Sequence, residues 1–162
     1  MQVVLPTMGD VNITHSVELR RLSRPHRNIR GGKMATVLLA EDDADIRFLV
    51  IFKLTQADHQ VRVFRDGLSV LADARENAPD LAILDVMMPG MSGLEVCQEL
   101  RKDPATANIP VIILTALAQE ADIAAGFAAG AADYIVKPFS PRDFAIRVDA
   151  VLARAQAIAP PG

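Results

Sequence analysis

Glu41, Asp42, Asp85, Thr115 and Lys137 each follow, or nearly follow, a short apolar run, and together they supply three acids, a hydroxyl and an amine. Glu41 and Asp42 come after Val37-Leu38-Leu39-Ala40, and Asp85 comes after Leu81-Ala82-Ile83-Leu84. Thr115 comes after Val111-Ile112-Ile113-Leu114, and Lys137 after Tyr134-Ile135-Val136. If those runs are parallel strands of one sheet, all five residues lie along one edge of it. Three carboxylates gathered there repel: at an effective dielectric near 20, two charges about 5 Å apart cost roughly 3 kcal/mol. Either a proton is retained or a cation enters. The donors are all oxygen, with no His or Cys nearby in sequence, which favours Mg2+ or Mn2+ over Zn2+. Mg2+ keeps several waters and takes one or two carboxylates plus phosphate oxygens. The set therefore reads as a place for a metal and a phosphoryl group together.

Within that set Asp85 is the candidate nucleophile, because a carboxylate can accept a phosphoryl group as an acyl phosphate. Catalysis would then consist of in-line placement and neutralisation of the equatorial oxygens. The metal would cover one oxygen, Lys137 a second, and the Thr115 hydroxyl with nearby backbone N–H groups a third. The loop Met87-Met88-Pro89-Gly90-Met91-Ser92-Gly93 carries Gly where backbone must turn or approach closely. Lys137 precedes Pro138, and a cis bond there would serve to aim the amine inward.

The elements that must position these residues alternate cleanly from Thr36 onward. Apolar runs at about 36–40, 60–64, 81–84, 110–114 and 133–136 read as buried parallel strands. Helical segments lie between and after them. The first places Ile46, Leu49, Val50 and Leu54 on one face. The second runs from about Gly67 to Asn77 and stops before Pro79. The third begins at Ser92, with Glu95 three residues on as a capping box. The fourth, about 119–129, is rich in Ala with Gly126 inside, and is expected to be the least rigid. The fifth has Ser140 as N-cap, Pro141 in its first turn, and a buried stripe of Phe144, Val148, Val151 and Leu152. Five strands alternating with five helices give an α/β fold with a doubly wound parallel sheet. Strand order 2-1-3-4-5, the flavodoxin-like arrangement, makes strands one and three neighbours at the switch point, where ligands bind.

The chain has 162 residues, is 51% hydrophobic and only 4% aromatic, and lacks Trp, so Val, Ile, Leu and Ala must fill the core. No apolar run reaches the roughly 18 residues of a membrane span, and Val3-Val4-Leu5 is too short for a signal peptide. Cys97 is alone, which excludes an intrachain disulfide and fits a cytoplasmic location. The net charge of −3 hides an asymmetry: residues 1–33 carry six Lys/Arg against two acids, a net of +4, and the remainder a net of −7. An acidic body argues against nucleic acid as a direct partner. Residues 1–33 are expected to form a disordered N-terminal extension, with weak support for a short helix from Thr14 to Leu22. Arg30-Gly31-Gly32-Lys33 before Met34 also reads as a translated ribosome-binding site, with Met34 the true start. Residues 34–156 are expected to form the domain, and 157–162 a short tail ending in Pro-Pro-Gly.

From about Thr36 to Arg154 the chain resembles the response-regulator receiver domains of bacterial two-component signalling. The matching motifs are Val-Leu-Leu-Ala-Glu41-Asp42-Asp43, Leu-Asp85-Val-Met-Met-Pro-Gly-Met-Ser-Gly, Ile-Leu-Thr115-Ala116 and Asp-Tyr134-Ile-Val-Lys137-Pro138-Phe139. Any one alone is weak; all four in family order and spacing are specific. The resemblance implies that Asp85 accepts phosphate from a sensor histidine kinase or a phosphotransfer protein. It implies that Asp42 ligates Mg2+ directly, Glu41 through water, and the Met87 backbone carbonyl as a further protein ligand beside Asp85. Thr115, Ala116 and Lys137 would bind the phosphoryl group, and Thr115 with Tyr134 would form the switch, the tyrosine turning inward as the threonine moves. The Lys137–Pro138 bond would be cis. Phosphorylation would shift an existing equilibrium and alter the face made by helix four, strand five and helix five. That face would recruit a downstream protein or a second copy of the chain. Asp133 and Arg147 stand where residues pair across dimers in some DNA-binding relatives, while Ala129 and other dimer positions match poorly. The chain would be no enzyme beyond its own phosphorylation and dephosphorylation.

Several residues keep ordinary readings. Asp43 and Asp45 are expected as helix N-terminal charges. Met87, Met88 and Met91 are packing and loop residues, Cys97 a small buried hydrophobe, and His15, His26 and His59 show no ligand spacing. Tyr134 can also be read as an edge-strand aromatic. Alternative functions are a phosphate-independent scaffold, a receiver module detached from a larger hybrid kinase or regulator, and an aspartyl-phosphate phosphatase. The last wants Asp-x-Asp after the first strand, whereas Asp85-Val86-Met87 follows the third.

Overall fold

The computed structural model describes residues 34–158. Ten elements alternate along the chain: β1 Thr36–Ala40, α1 Ala44–Gln56, β2 Gln60–Phe64, α2 Gly67–Glu76, β3 Leu81–Leu84, α3 Gly93–Lys102, β4 Val111–Thr115, α4 Glu120–Ala128, β5 Asp133–Val136 and α5 Pro141–Ile158. The strands form one parallel sheet in the order β2-β1-β3-β4-β5. This is the expected architecture. The proposed helix Thr14–Leu22, the 1–33 extension and residues 159–162 lie outside the described residues, whereas Ala157 and Ile158, expected in the tail, are the last residues of α5.

Strand side chains alternate between faces, and this alternation builds two cores. Val37, Leu39, Leu81, Ile83, Ile112, Leu114 and Ile135 pack against Val50 and Leu54 of α1 and the α5 stripe Phe144, Val148, Val151 and Leu152. Leu38, Ala40, Ala82, Leu84, Val111, Ile113 and Tyr134 pack on the other face, against α2 and α3. Most of these strand residues are fully buried, and each Val, Leu or Ile so buried contributes roughly 1.5–3 kcal/mol. Cys97 belongs to the second core, and its thiol donates to the Ala129 carbonyl at 3.3 Å.

Helix starts follow local chemistry. The Asp43 carboxylate caps α1 by accepting from the Ile46 N–H at 2.9 Å. Ser92 and Glu95 form the expected capping box of α3. The Ser140 hydroxyl accepts from the Asp143 N–H at 3.2 Å at the start of α5. Of the apolar face expected for α1, Val50 and Leu54 are buried and Ile46 and Leu49 half-buried; Phe48 and Phe52, which lie off that face, are exposed. β4 is displaced by one residue from the expected 110–114, because Pro110 has no N–H to donate to a ladder. At the other end Thr115 pairs with Val136 and is the last residue of the strand rather than the first beyond it. Among the described residues no helix is long and apolar enough to cross a membrane.

Candidate functional site

The parallel ladder extends one residue past three strands, and those three residues face one another. The Glu41 N–H donates to the Phe64 carbonyl at 3.2 Å, the Asp85 N–H to Ala40 at 3.0 Å, and the Lys137 N–H to Thr115 at 2.8 Å. Backbone pairing thus fixes each of them against a neighbouring strand before any side chain is considered. The Lys137 ammonium lies 2.9 Å from Asp85 Oδ2, and 2.9 and 2.7 Å from Glu41 Oε1 and Oε2. Asp85 Oδ1 accepts from the Met87 N–H at 3.0 Å, and Glu41 Oε1 from the Asp43 N–H at 3.1 Å. Glu41 and Thr115 are fully buried and Asp85 nearly so.

The helix that follows β3 can approach because residue 93 lacks a side chain. A Cβ on Gly93 would stand 2.2 Å from the Asp85 carbonyl oxygen. The Lys137–Pro138 peptide is cis.

Burial is the largest influence on Glu41 and raises its pKa; the hydrogen bond from Lys137 opposes the shift without cancelling it. Burial alone would depress Lys137, but its hydrogen bonds to Glu41 and Asp85 more than reverse that, and its pKa ends above the ordinary lysine value. Lys137 therefore stays protonated at neutral pH. Glu41 Oε2 is buried and, although only 2.7 Å from the ammonium, lies outside hydrogen-bond geometry.

Of the three acids expected to converge, two do. Glu41 and Asp85 share Lys137, whose charge offsets their repulsion. Asp42 is exposed at the rim and, among the described residues, its carboxylate has no hydrogen-bond or ion-pair partner. Among the described residues no group of three His, Cys, Asp or Glu side chains is arranged to hold a metal ion. The donors nevertheless suit a hard cation: all are oxygens, Asp42 is accessible, and Glu41 Oε2 retains an unused lone pair in a buried position.

Thr115 Oγ1 accepts a long bond, 3.5 Å, from the Leu117 N–H. The Tyr134 ring is turned inward and buried, and its hydroxyl donates to the Leu117 carbonyl at 2.8 Å. The ring lies over Gly126, where a Cβ would stand 2.6 Å from Cδ2. Gly126 is thus a seat for the tyrosine. Ala116 and Met87 are exposed, the methionine to 65%. Asp133 and Arg147 pair within the chain, at 3.1 and 3.2 Å. Two contacts were not legible in the sequence, the Leu117 carbonyl as partner of Tyr134 and Arg47 as donor to the carbonyls of Glu41 and Asp42. Both depend on main-chain oxygens, which leave no mark on residue type.

The family model described as "Response regulator receiver domain" matches residues 37–149. The transcriptional regulatory protein ResD of Bacillus subtilis is 44% identical over 119 residues, covering 74% of this chain and 48% of its own length. The DNA-binding dual master transcriptional regulator RpaA of Synechocystis is 43% identical over 125 residues, covering 77% of this chain and 52% of its own. The chain spans about half the length of these curated relatives. The Vibrio cholerae chemotaxis protein CheY4 superposes with TM-score 0.68 at 33% identity, over 74% of this chain and 99% of that one. The signal receiver domain of a signal transduction histidine kinase from Syntrophus aciditrophicus superposes with TM-score 0.71 at 29% identity, over 79% and 97%.

Proposed function

The chain belongs to the response regulator receiver family, and from that premise we propose that Asp85 is its phosphoacceptor. The carrying observation is the pairing of a nearly buried Asp85 with a protonated Lys137 at 2.9 Å, at the carboxyl edge of the sheet. A histidine kinase or phosphotransfer protein presents a phosphohistidine. An Asp85 carboxylate oxygen attacks phosphorus, a P–O bond forms, the P–N bond breaks, and the imidazole leaves with the electron pair. The product is an acyl phosphate.

Lys137 supports this transfer from the side of charge. Its ammonium already sits on Asp85 Oδ2, so it stands beside the oxygens that gain charge in the transition state. The Thr115 hydroxyl and the Ala116 N–H are the remaining donors. Asp85 Oδ1, held by the Met87 N–H, keeps the carboxylate from rotating. Mg2+, with Mn2+ as a substitute, would be held by Asp42, Asp85 and the Met87 carbonyl, with Glu41 acting through water. When bound it would neutralise charge on the phosphoryl oxygens and offset the repulsion among the carboxylates.

Thr115 and Tyr134 are the switch. The Tyr134 hydroxyl bonds the same residue, Leu117, whose N–H reaches Thr115 Oγ1, so a shift of the threonine toward phosphate reaches the tyrosine through one residue. The face formed by α4, β5 and α5 is the output surface, for a downstream protein or a second copy. Phe127 is 48% exposed on it. Asp133 and Arg147 pair within the chain through Arg147 Nη1, and the Arg147 side chain is 39% exposed.

Incubation with acetyl phosphate and Mg2+, followed by intact mass, tests the proposal. One labile phosphoryl adduct is expected, absent from Asp85→Asn and absent without metal. An adduct that persists in Asp85→Asn refutes the assignment. No adduct with any divalent metal favours a phosphate-independent scaffold.

A further inference from the structure

Arg47 lies on the first turns of α1, and one of its guanidinium nitrogens reaches two main-chain oxygens. Nη1 donates to the Glu41 carbonyl at 3.2 Å and to the Asp42 carbonyl at 3.1 Å. Its own backbone N–H donates to the Asp43 carbonyl at 2.9 Å as part of the helix. One residue therefore engages the carbonyls of three consecutive residues, 41, 42 and 43. The first two precede the helix and receive none of its bonds. With those oxygens tied to a common nitrogen, the backbone rotations of Glu41 and Asp42 are restricted, and with them the direction in which Asp42 extends its carboxylate.

That restriction matters because the rest of the site leaves Asp42 unheld. Glu41 is fixed by Lys137 and the Asp43 N–H, and Asp85 by Lys137 and the Met87 N–H. Asp42 is exposed and has no side-chain partner among the described residues. We infer that Arg47 is a positioning residue for the metal site, acting through the carbonyls of Glu41 and Asp42 to aim Asp42 at the cation; this rests on the phosphoacceptor reading given above.

The guanidinium has two opposing effects on Mg2+. As a clamp it pre-orders a ligand and strengthens binding. As a cation near a dication it weakens binding. Arg47 is only partly buried, so its charge is screened by solvent and salt. Groups that orient first ligands typically change metal affinity by about 10–100-fold, and the clamp is expected to win. Removing it should cost about tenfold, the lower end, because solvent can replace part of the two hydrogen bonds.

Isothermal titration of unphosphorylated protein with Mg2+ measures this directly. Arg47→Met should weaken Mg2+ binding about tenfold. Its rate with acetyl phosphate should need about tenfold more Mg2+ for half-saturation and return to the wild-type rate at saturating metal. Arg47→Lys, which keeps charge and several donors on one nitrogen, should recover most of the affinity. A general structural role would instead lower the rate at every Mg2+ concentration, which would overturn the inference. Unchanged or tighter binding in Arg47→Met would mean that charge, not clamping, is the larger effect, and would also overturn it. So would a lysine variant that recovers nothing. If the melting temperature of Arg47→Met shows that it does not fold, Arg47→Ala, which also removes every side-chain donor, carries the same prediction. Lack of any adduct in the wild-type protein would refute the phosphoacceptor reading itself. Normal phosphorylation with unaltered metal binding in the Arg47 variants would refute only this inference.

Discussion

Lys137→Met removes the one cation between two buried carboxylates and keeps the aliphatic bulk. The side chains left behind are 1% exposed at Glu41 and 8% at Asp85. Breaking such a pair from one side costs about 3–5 kcal/mol when the remaining charge has no escape. Here there is an escape, since Glu41 already has a raised pKa from burial and can take up a proton. At pH 7 that uptake costs about 1.36 kcal/mol for each pH unit above the ordinary carboxyl value of 4.5, close to 3.4 kcal/mol in all. Proton uptake limits the Glu41 share of the penalty to this figure, and part of that share is already borne by the wild-type protein. A loss of roughly 2–3 kcal/mol at pH 7 is expected. The sign of its pH dependence follows. In the variant the folded-state pKa of Glu41 rises further above its unfolded value, so the native state binds the extra proton and loses stability as pH climbs from 4.5 to that folded value. In the wild type, the raised pKa of Lys137 contributes stability that is fully present below 10.5 and is lost as pH rises through the folded value. The gap between the two proteins should therefore be small near pH 4.5, open toward pH 7 and then level off. Urea unfolding at a series of pH values measures it. A gap that is the same at pH 4.5 and pH 7 would refute the ion-pair account and leave only packing.

Three further outcomes are expected. Gly126→Ala gains about 1 kcal/mol in helix propensity but sets a Cβ 2.6 and 2.8 Å from the Tyr134 ring; overpacking of about 1–3 kcal/mol should win, with net destabilisation in urea. A more stable variant would mean that the ring swings out at no cost. His59 Nδ1 accepts from the Ala35 N–H at 3.1 Å, which requires the unprotonated nitrogen, and burial holds the pKa below 6.5, with Asp149, Asp58 and Asp80 opposing the shift. The native state thus binds fewer protons, so this contribution is present above pH 6.5 and is lost as pH falls through the folded value. His59→Gln should flatten the stability slope there, and an unchanged slope assigns it to other groups. Met87 and Leu117, two places beyond Asp85 and Thr115, are apolar and give an attacking water no polar help. The phosphoryl group should last for minutes or longer on phosphate-binding gels, and a lifetime of a few seconds would contradict this.

The strands and their spacing were legible as short continuous apolar runs, because a parallel strand covered on both faces is apolar along its length. Ser92 with Glu95, Asp43 before α1, and Ser140 before Pro141 marked helix starts through side chains that satisfy local N–H groups. The one-residue displacement of β4 had a sequence sign, Pro110, which cannot donate to a ladder. The exposure of Phe48 and Phe52 had none: their apolar character is the same whether a helix face meets the core or solvent.

What the sequence determined by itself is the kind and order of the chemistry: acids after strands one and three, a hydroxyl at the end of strand four, an amine after strand five. Residue type and spacing carry that information locally. Only the tertiary structure decided who holds whom. Glu41 and Lys137 are 96 residues apart, and their contact exists because ladder bonds bring the ends of separate strands to one edge. The same folding left Asp42 at the rim, seated Tyr134 over Gly126 and against the Leu117 carbonyl, and turned Arg47 toward two backbone oxygens. Those choices depend on distances between strands and on main-chain carbonyls, which are the same in every residue and so are invisible until the chain is folded.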